Sequence, residues 1–129
     1  MKLNHNCVRD ILIFCEDFLL FGEDLSWQPL SLDDFCNSLS QYSREDIAYT
    51  ILILEEAALI VGSIDKYCGG IYDVTIYRLT YNGHEFVDAI RPENVWKKVQ
   101  SVLKSIGSSS IPIIQSLASQ FTLDFLKNL

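Results

Sequence analysis

Between Cys7 and Phe21, Val8, Ile11, Leu12, Cys15, Phe18 and Leu19 recur at three- and four-residue intervals, the spacing of an amphipathic helix with Asn4 or Asn6 as its N-cap. At about 100° per residue, Ile13 and Leu20 fall beside Arg9 and Glu16 on the opposite side, so a second surface is expected to cover them. Gly22 to Leu30 interrupts the period, and Trp27, Pro29 and Leu30 predict a short extended piece that tucks an aromatic against the core. Ser31 and Asp34 form an approximate capping box ahead of Phe35, Cys36 and Leu39, which opens a second, short helix. Ser43 opens a third, with Glu45 and Asp46 in its first turn where the helix dipole favours acids. That helix is expected to run to about Ala58 and to bury Ile47, Ile51, Leu54 and Ala58.

Downstream the period changes. Leu59 to Lys66 and Ile71 to Leu79 read as two strands around YCGG, with Gly69 and Gly70 expected to supply the positive φ of a tight hairpin. Val74 and Ile76 share one face, and Asp73, Thr75 and Tyr77 the other. Thr80 is placed to cap a fourth helix that buries Phe86, Val87 and Ile90 and stops at Arg91-Pro92, because a residue before proline resists the α region. The rest reads as a helical hairpin. Val95, Trp96, Val99, Val102, Leu103 and Ile106 lie on one helix, and a break follows at Gly107 to Ser109. The second helix starts at Ser110 with Pro112 in its first turn, and carries Ile114, Leu117, Ala118, Phe121 and Phe125.

Helix, short strand, helix, helix, two-stranded ribbon, helix is the order of a winged helix-turn-helix, with Ser40 to Tyr42 as the turn. The fold class is therefore mainly α with a small antiparallel β-ribbon: a winged helix-turn-helix domain over residues 1–91, and a C-terminal helical hairpin over 92–129 that packs on the first helix or on a partner chain. Within this frame Gly83 lets the fourth helix lie against the ribbon backbone, and His84 is expected to satisfy a hydrogen bond at the seam.

Three stretches, MKLNHNCVRDIL, YSREDIAYTILILEEAALI and LTYNGHEFVDAIR, in this order and over nearly the whole chain, resemble the phage- and prophage-associated family called domain of unknown function 2513. The resemblance implies a winged helix-turn-helix and a phage or prophage setting. It implies no particular activity.

Composition narrows the classes. With 129 residues, 49% of them apolar, the chain can fill one core without covalent staples. Its apolar runs are far shorter than the roughly 20 residues needed to cross a bilayer, and MKLNHNCVRD has no apolar signal region. A cytoplasmic protein with no membrane partner is expected. Cys7, Cys15, Cys36 and Cys68 include no CxxC pair and read as reduced thiols. The net charge is −7, unevenly spread: Met1 to Ile60 has three basic residues against eleven acidic, whereas Arg91 to Leu129 has five basic against two acidic.

Candidate chemistry is sparse. His84 beside Glu85 invites an acid–base reading, but sequence neighbours on a helix point about 100° apart, and a general base needs an aligned partner and a pocket. His5, Cys7, Cys15, Cys36, Cys68 and His84 offer only His5-x-Cys7 as a tight pairing, so no metal site and no cofactor are expected. No GxSxG elbow or phosphate loop is present. A non-enzymatic binding protein remains, with two candidate partners. Double-stranded DNA would be met by Arg44, Tyr49 and Thr50 on the third helix and by Lys66 and Arg78 on the wing, in the manner of a transcriptional regulator or accessory factor. The third helix offers no outward Lys, Asn or Gln for base edges, and only the tail cations Arg91, Lys97, Lys98 and Lys104 add electrostatic attraction. Alternatively, Ile13, Leu20, Leu52, Ile53, Trp96, Phe121 and Phe125 form an apolar surface for a host protein to be inhibited or modulated, or for a homodimer through the C-terminal helices.

Overall fold

A computed structural model describes residues 1–107 and 110–129 of the chain. Helix α1 (His5–Phe18) starts where the Asn4 carboxamide oxygen accepts from the Asn6 and Cys7 amides, and it buries Cys7, Val8, Ile11, Leu12 and Cys15. It ends earlier than the periodicity predicts. Leu20 and Phe21 form strand β1 (Leu20–Phe21), paired antiparallel with β2 (Trp27–Gln28). In the loop between them the Leu25 amide donates to the Gly22 carbonyl at 2.9 Å, and Leu25 then takes φ 63, the left-handed position of a three-residue hairpin loop. Phe18, expected inside, is 56% exposed at the overhanging last turn of α1 and leans on Phe14 at a ring separation of 4.7 Å.

The expected extended piece is β3 (Leu30–Ser31), which joins the ribbon β4 (Ile60–Tyr67) and β5 (Gly70–Leu79) in a three-stranded antiparallel sheet of order β3-β5-β4. Of the turn glycines only Gly70 has positive φ, at 152°. Val74 and Ile76 are buried as the alternation predicts. The register then slips, pairing Val61 with Arg78 but Gly62 with Ile76, so the extra residue Tyr77 shifts the phase and turns Leu79, not Arg78, into the core.

Helix α2 (Leu32–Ser38) has the full capping box between Ser31 and Asp34. Helix α3 (Arg44–Glu56), capped by Ser43, buries Ile47, Thr50, Ile51 and Leu54. The turn between them is pinned to α1, where the Tyr42 hydroxyl donates to Asp10 Oδ2 at 2.6 Å. Ala58 is not in the core: it is exposed, with φ 59, just past the helix end, and Leu59 takes the buried place. An αL residue with a β-carbon costs about 1–2 kcal/mol that glycine does not. Ala58→Gly should therefore raise stability by roughly 0.5–1 kcal/mol once the entropy of the unfolded glycine is subtracted. A shift of the urea midpoint to higher concentration at constant m-value is the expected reading.

Helix α4 (Tyr81–Ile90) is capped by Thr80, whose Oγ1 accepts from the Gly83 amide and donates to the Ala58 carbonyl at 2.6 Å. Arg91 keeps helical angles, φ −63 and ψ −45, so the stop comes from Pro92 itself, which has no N–H and turns extended at ψ 128. Helices α5 (Glu93–Ile106) and α6 (Ile111–Lys127) form the C-terminal pair. Of the expected break, Gly107 is a left-handed C-cap at φ 67, and Ser108 and Ser109 lie outside the described residues. Val95, Trp96, Val99, Leu103, Ile111, Ile114 and Ala118 belong to the same core cluster as the residues of α1, α3 and α4. Ile106, expected on the inner face, is 56% exposed, one turn beyond Leu103.

Candidate functional site

The residues expected to meet DNA do not converge. Arg44 is the one cation of α3, and its Nη1 lies 2.7 Å from Asp33 Oδ1. Thr50 is 1% exposed, its hydroxyl donating to the Asp46 carbonyl at 2.7 Å, so it faces the core instead of solvent. Tyr49 is half-buried. The exposed residues of α3 are Arg44, Glu45, Asp46 and Glu56, and Asp33 and Asp34 of α2 are exposed as well. Carboxylates repel phosphate, and the exposed surface of α2 and α3 carries five of them. On the ribbon Lys66 pairs with Ile71 near the tip and Arg78 with Val61 near the base, roughly 20 Å apart along β5 at the rise of an extended strand. Arg78 also gives Nη1 to the Leu79 carbonyl at 3.2 Å.

The expected apolar surface is rearranged as well. Trp96 is 3% exposed and cannot anchor a partner. Its Nε1 donates to Asn6 Oδ1 at 3.3 Å, His5 meets it edge-on, and the Arg9 guanidinium lies 5.5 Å from its ring centre. Phe121 and Phe125 are half-buried beneath the Lys98 ammonium, at 5.8 and 4.8 Å. Ile13 and Ile53 pack on the margin of the core, and Leu52 is half-buried. Of the set only Leu20 is well exposed, at 61%.

Exposed apolar residues lie around Leu20, and Trp27, expected against the core, is among them because it pairs with Phe21 in the hairpin instead. Phe21, Leu25 and Trp27 are all exposed on the β1–β2 hairpin. The Phe21 and Trp27 rings are 4.9 Å apart, and Trp27 meets Tyr77 of β5 at 5.9 Å. Between hairpin, end of α1, base of β5 and start of α4 is a cavity of about 140 Å³ with aromatic and aliphatic walls. A signal existed in the sequence: Gly22, Asp24 and Ser26 between Leu20-Phe21 and Trp27 is hairpin chemistry. It was masked because Leu19, Leu20 and Phe21 also continue the helical period.

His84 stands at this cavity. It is exposed, and Nδ1 is 3.9 Å from Glu16 Oε2, beyond hydrogen-bond length, so the expected seam hydrogen bond is not formed. Glu16 instead takes Arg91 Nη2 through Oε1, and the same nitrogen lies 3.5 Å from Asp17. Glu85 is turned to Tyr81, whose hydroxyl it holds above the ordinary phenol range by hydrogen bonding. The two neighbours therefore do not form an acid–base pair. Burial pushes the Cys7 thiol up to about 11 and the Cys15 thiol up to about 12, leaving neither as a thiolate nucleophile at neutral pH. Among the described residues no three His, Cys, Asp or Glu side chains are grouped to hold a metal ion, and no helix is long and apolar enough to cross a membrane.

Fold and site together define a mainly α protein with a small antiparallel sheet, an acidic face on its second and third helices, and an exposed aromatic hairpin beside a side-chain-sized cavity. The chain belongs to the family described as hypothetical protein (DUF2513), whose model matches residues 2–110. Helix α6 lies beyond that match. A Haemophilus influenzae protein (strain Rd), described as uncharacterized, is 29% identical over 105 residues, covering 81% of this chain and 80% of its own length. No solved structure matches the chain.

Proposed function

We propose that the protein is a non-enzymatic cytoplasmic binding module of winged-helix type whose partner is another protein. The observation that carries this reading is the surface of α3: its single cation is tied to Asp33, and its other exposed residues are the carboxylates Glu45, Asp46 and Glu56. A helix of that charge pays a repulsive cost in a major groove and has nothing to read a base edge with. The phage or prophage setting implied by the family resemblance makes a host factor the natural target, to be blocked or modulated. A DNA-associated regulator is the second reading. It is favoured by exposed Lys66 at the ribbon tip and by exposed Lys97 and Lys104 on α5, which could hold phosphates without α3.

Affinity capture on the tagged protein from lysate of the bacterium carrying the gene separates the two. Partners that persist through nuclease treatment, and that Phe21→Ser releases while a combined Arg44 and Lys66 to alanine variant does not, are the expected result. Loss on nuclease treatment, a steep salt dependence and sensitivity to the alanine variant would establish the DNA reading instead.

A further inference from the structure

The β1–β2 hairpin has features that a solvated loop does not need. Leu20, Phe21, Leu25 and Trp27 lie within eight positions and all are exposed, Leu25 at 76%. Phe21 and Trp27 lie ring against ring in water, and an exposed aromatic pair beside a cavity is the kind of apolar surface that marks a binding site. Leu25 in addition occupies a left-handed backbone position, φ 63, where glycine would be unstrained. The hairpin does not close over the molecule. It stands off, touching β5 through Trp27 and Tyr77, and the cavity of about 140 Å³ opens beneath it. That is room on the scale of one side chain.

Charge says what sort of chain brings that side chain. The loop joining the aromatic walls carries Glu23 and Asp24, both exposed. Asp24 is held ionised to lower pH than usual by hydrogen bonds from Ser26, whose amide donates to Asp24 Oδ1 at 3.1 Å. Asp17, in the last turn of α1, shares Arg91 with Glu16 and does not belong with Glu23 and Asp24. On the opposite wall are Glu16, neutralised by Arg91, His84, and Arg78, whose guanidinium is bonded to the Leu79 carbonyl. The hairpin side is therefore the anionic side, on a protein of net charge −7. Resting on the reading that the partner is a protein, we infer that this cleft receives a short peptide segment of it. One bulky apolar side chain enters the cavity against Phe21, Trp27 and Tyr77, and flanking lysines or arginines face Glu23 and Asp24. Such aromatic-lined pockets with a charged border concentrate binding energy in one anchor residue.

The two tryptophans make the test direct, since Trp27 is 46% exposed and Trp96 3%. The probes are three acetylated, amidated hexapeptides: Lys-Arg-Leu-Phe-Arg-Lys, Lys-Arg-Ser-Ser-Arg-Lys and Glu-Asp-Leu-Phe-Asp-Glu. Titrated into the full chain at about 50 mM salt, only the first should shift the tryptophan emission saturably. Its affinity should fall several-fold at roughly 300 mM salt, where exposed charges are screened. Tyr77→Ala, which keeps the reporter, should weaken binding about tenfold. The double variant Glu23→Gln with Asp24→Asn keeps an oxygen for the Ser26 amide and should weaken it several-fold, with an unchanged thermal midpoint. Equal binding of the acidic or the serine peptide, or no saturation with any, overturns the inference. Nuclease-resistant capture that survives such a negative result would leave the protein-partner reading standing on a different surface.

Discussion

Gly83→Ala is expected to destabilise the protein by about 3 kcal/mol, although alanine is the better helix former by roughly 1 kcal/mol. Gly83 lies in the first turn of α4, and a β-carbon there would fall 2.0 Å from the Leu59 carbonyl oxygen. That oxygen cannot give way cheaply. It accepts the Thr80 amide at 3.0 Å, while the Thr80 hydroxyl is bonded to the Ala58 carbonyl on one side and to the Gly83 amide on the other. The β-carbon thus meets backbone at the one point where the ribbon, the end of α3 and the start of α4 are joined, and relief requires the helix to move off the sheet. Urea unfolding followed by circular dichroism is the check, with exposed Asn82→Ala as the control expected to stay within about 0.5 kcal/mol of the parent. A Gly83→Ala protein as stable as the parent would mean that α4 is not held against Leu59.

Arg9→Ala is expected to cost about the same, roughly 3 kcal/mol, and Arg9→Lys to recover less than half of it. The Arg9 side chain is 12% exposed. Its Nε donates to the Ile90 carbonyl at 2.9 Å and its Nη2 to the Arg91 carbonyl at 2.6 Å. These are carbonyls at the end of α4 with no helical partner, and the guanidinium also covers the Trp96 ring. Removing it leaves both acceptors and the indole face unsupported; a lysine ammonium cannot span two carbonyls with a planar fork. The ion pair with Glu93 is a minor part, because that carboxylate is 70% exposed: Glu93→Gln should cost no more than about 0.5 kcal/mol. The near-ultraviolet dichroism of buried Trp96 and faster amide exchange along α5 should report the Arg9→Ala change specifically. Unchanged exchange in α5 would remove Arg9 from its place as the tie between α1 and the C-terminal pair.

Elements whose information is local were legible. The capping box of Ser31 and Asp34, the caps at Asn4, Ser43 and Thr80, the ribbon about YCGG and the buried stripes of α3 and α4 all follow from residues within a turn or two of one another. Gly83 was legible too, because a glycine in the first turn after a strand has few reasons other than close backbone approach. The candidate site was much less so. Leu20 and Phe21 satisfy a helical period and a strand pairing equally well, and only the pairing of Phe21 with Trp27 decides between them. Thr50 and Arg44 were given outward roles by counting around a helix, yet Thr50 is bonded back to Asp46 and Arg44 across to Asp33.

The amino-acid pattern alone therefore determined which segments coil, which extend and where most of them stop, since those outcomes depend on neighbours a few residues away. Only the tertiary structure decided that Trp96 is inside and Trp27 outside, and that the cation of α3 is already engaged. It alone placed the open cavity beneath the β1–β2 hairpin. The physical reason is range: the bonds that settle these points join residues 81 and 90 positions apart, as in Arg9 to Ile90 and Asn6 to Trp96. Competition between apolar faces for one limited core is decided by the packing of the whole chain.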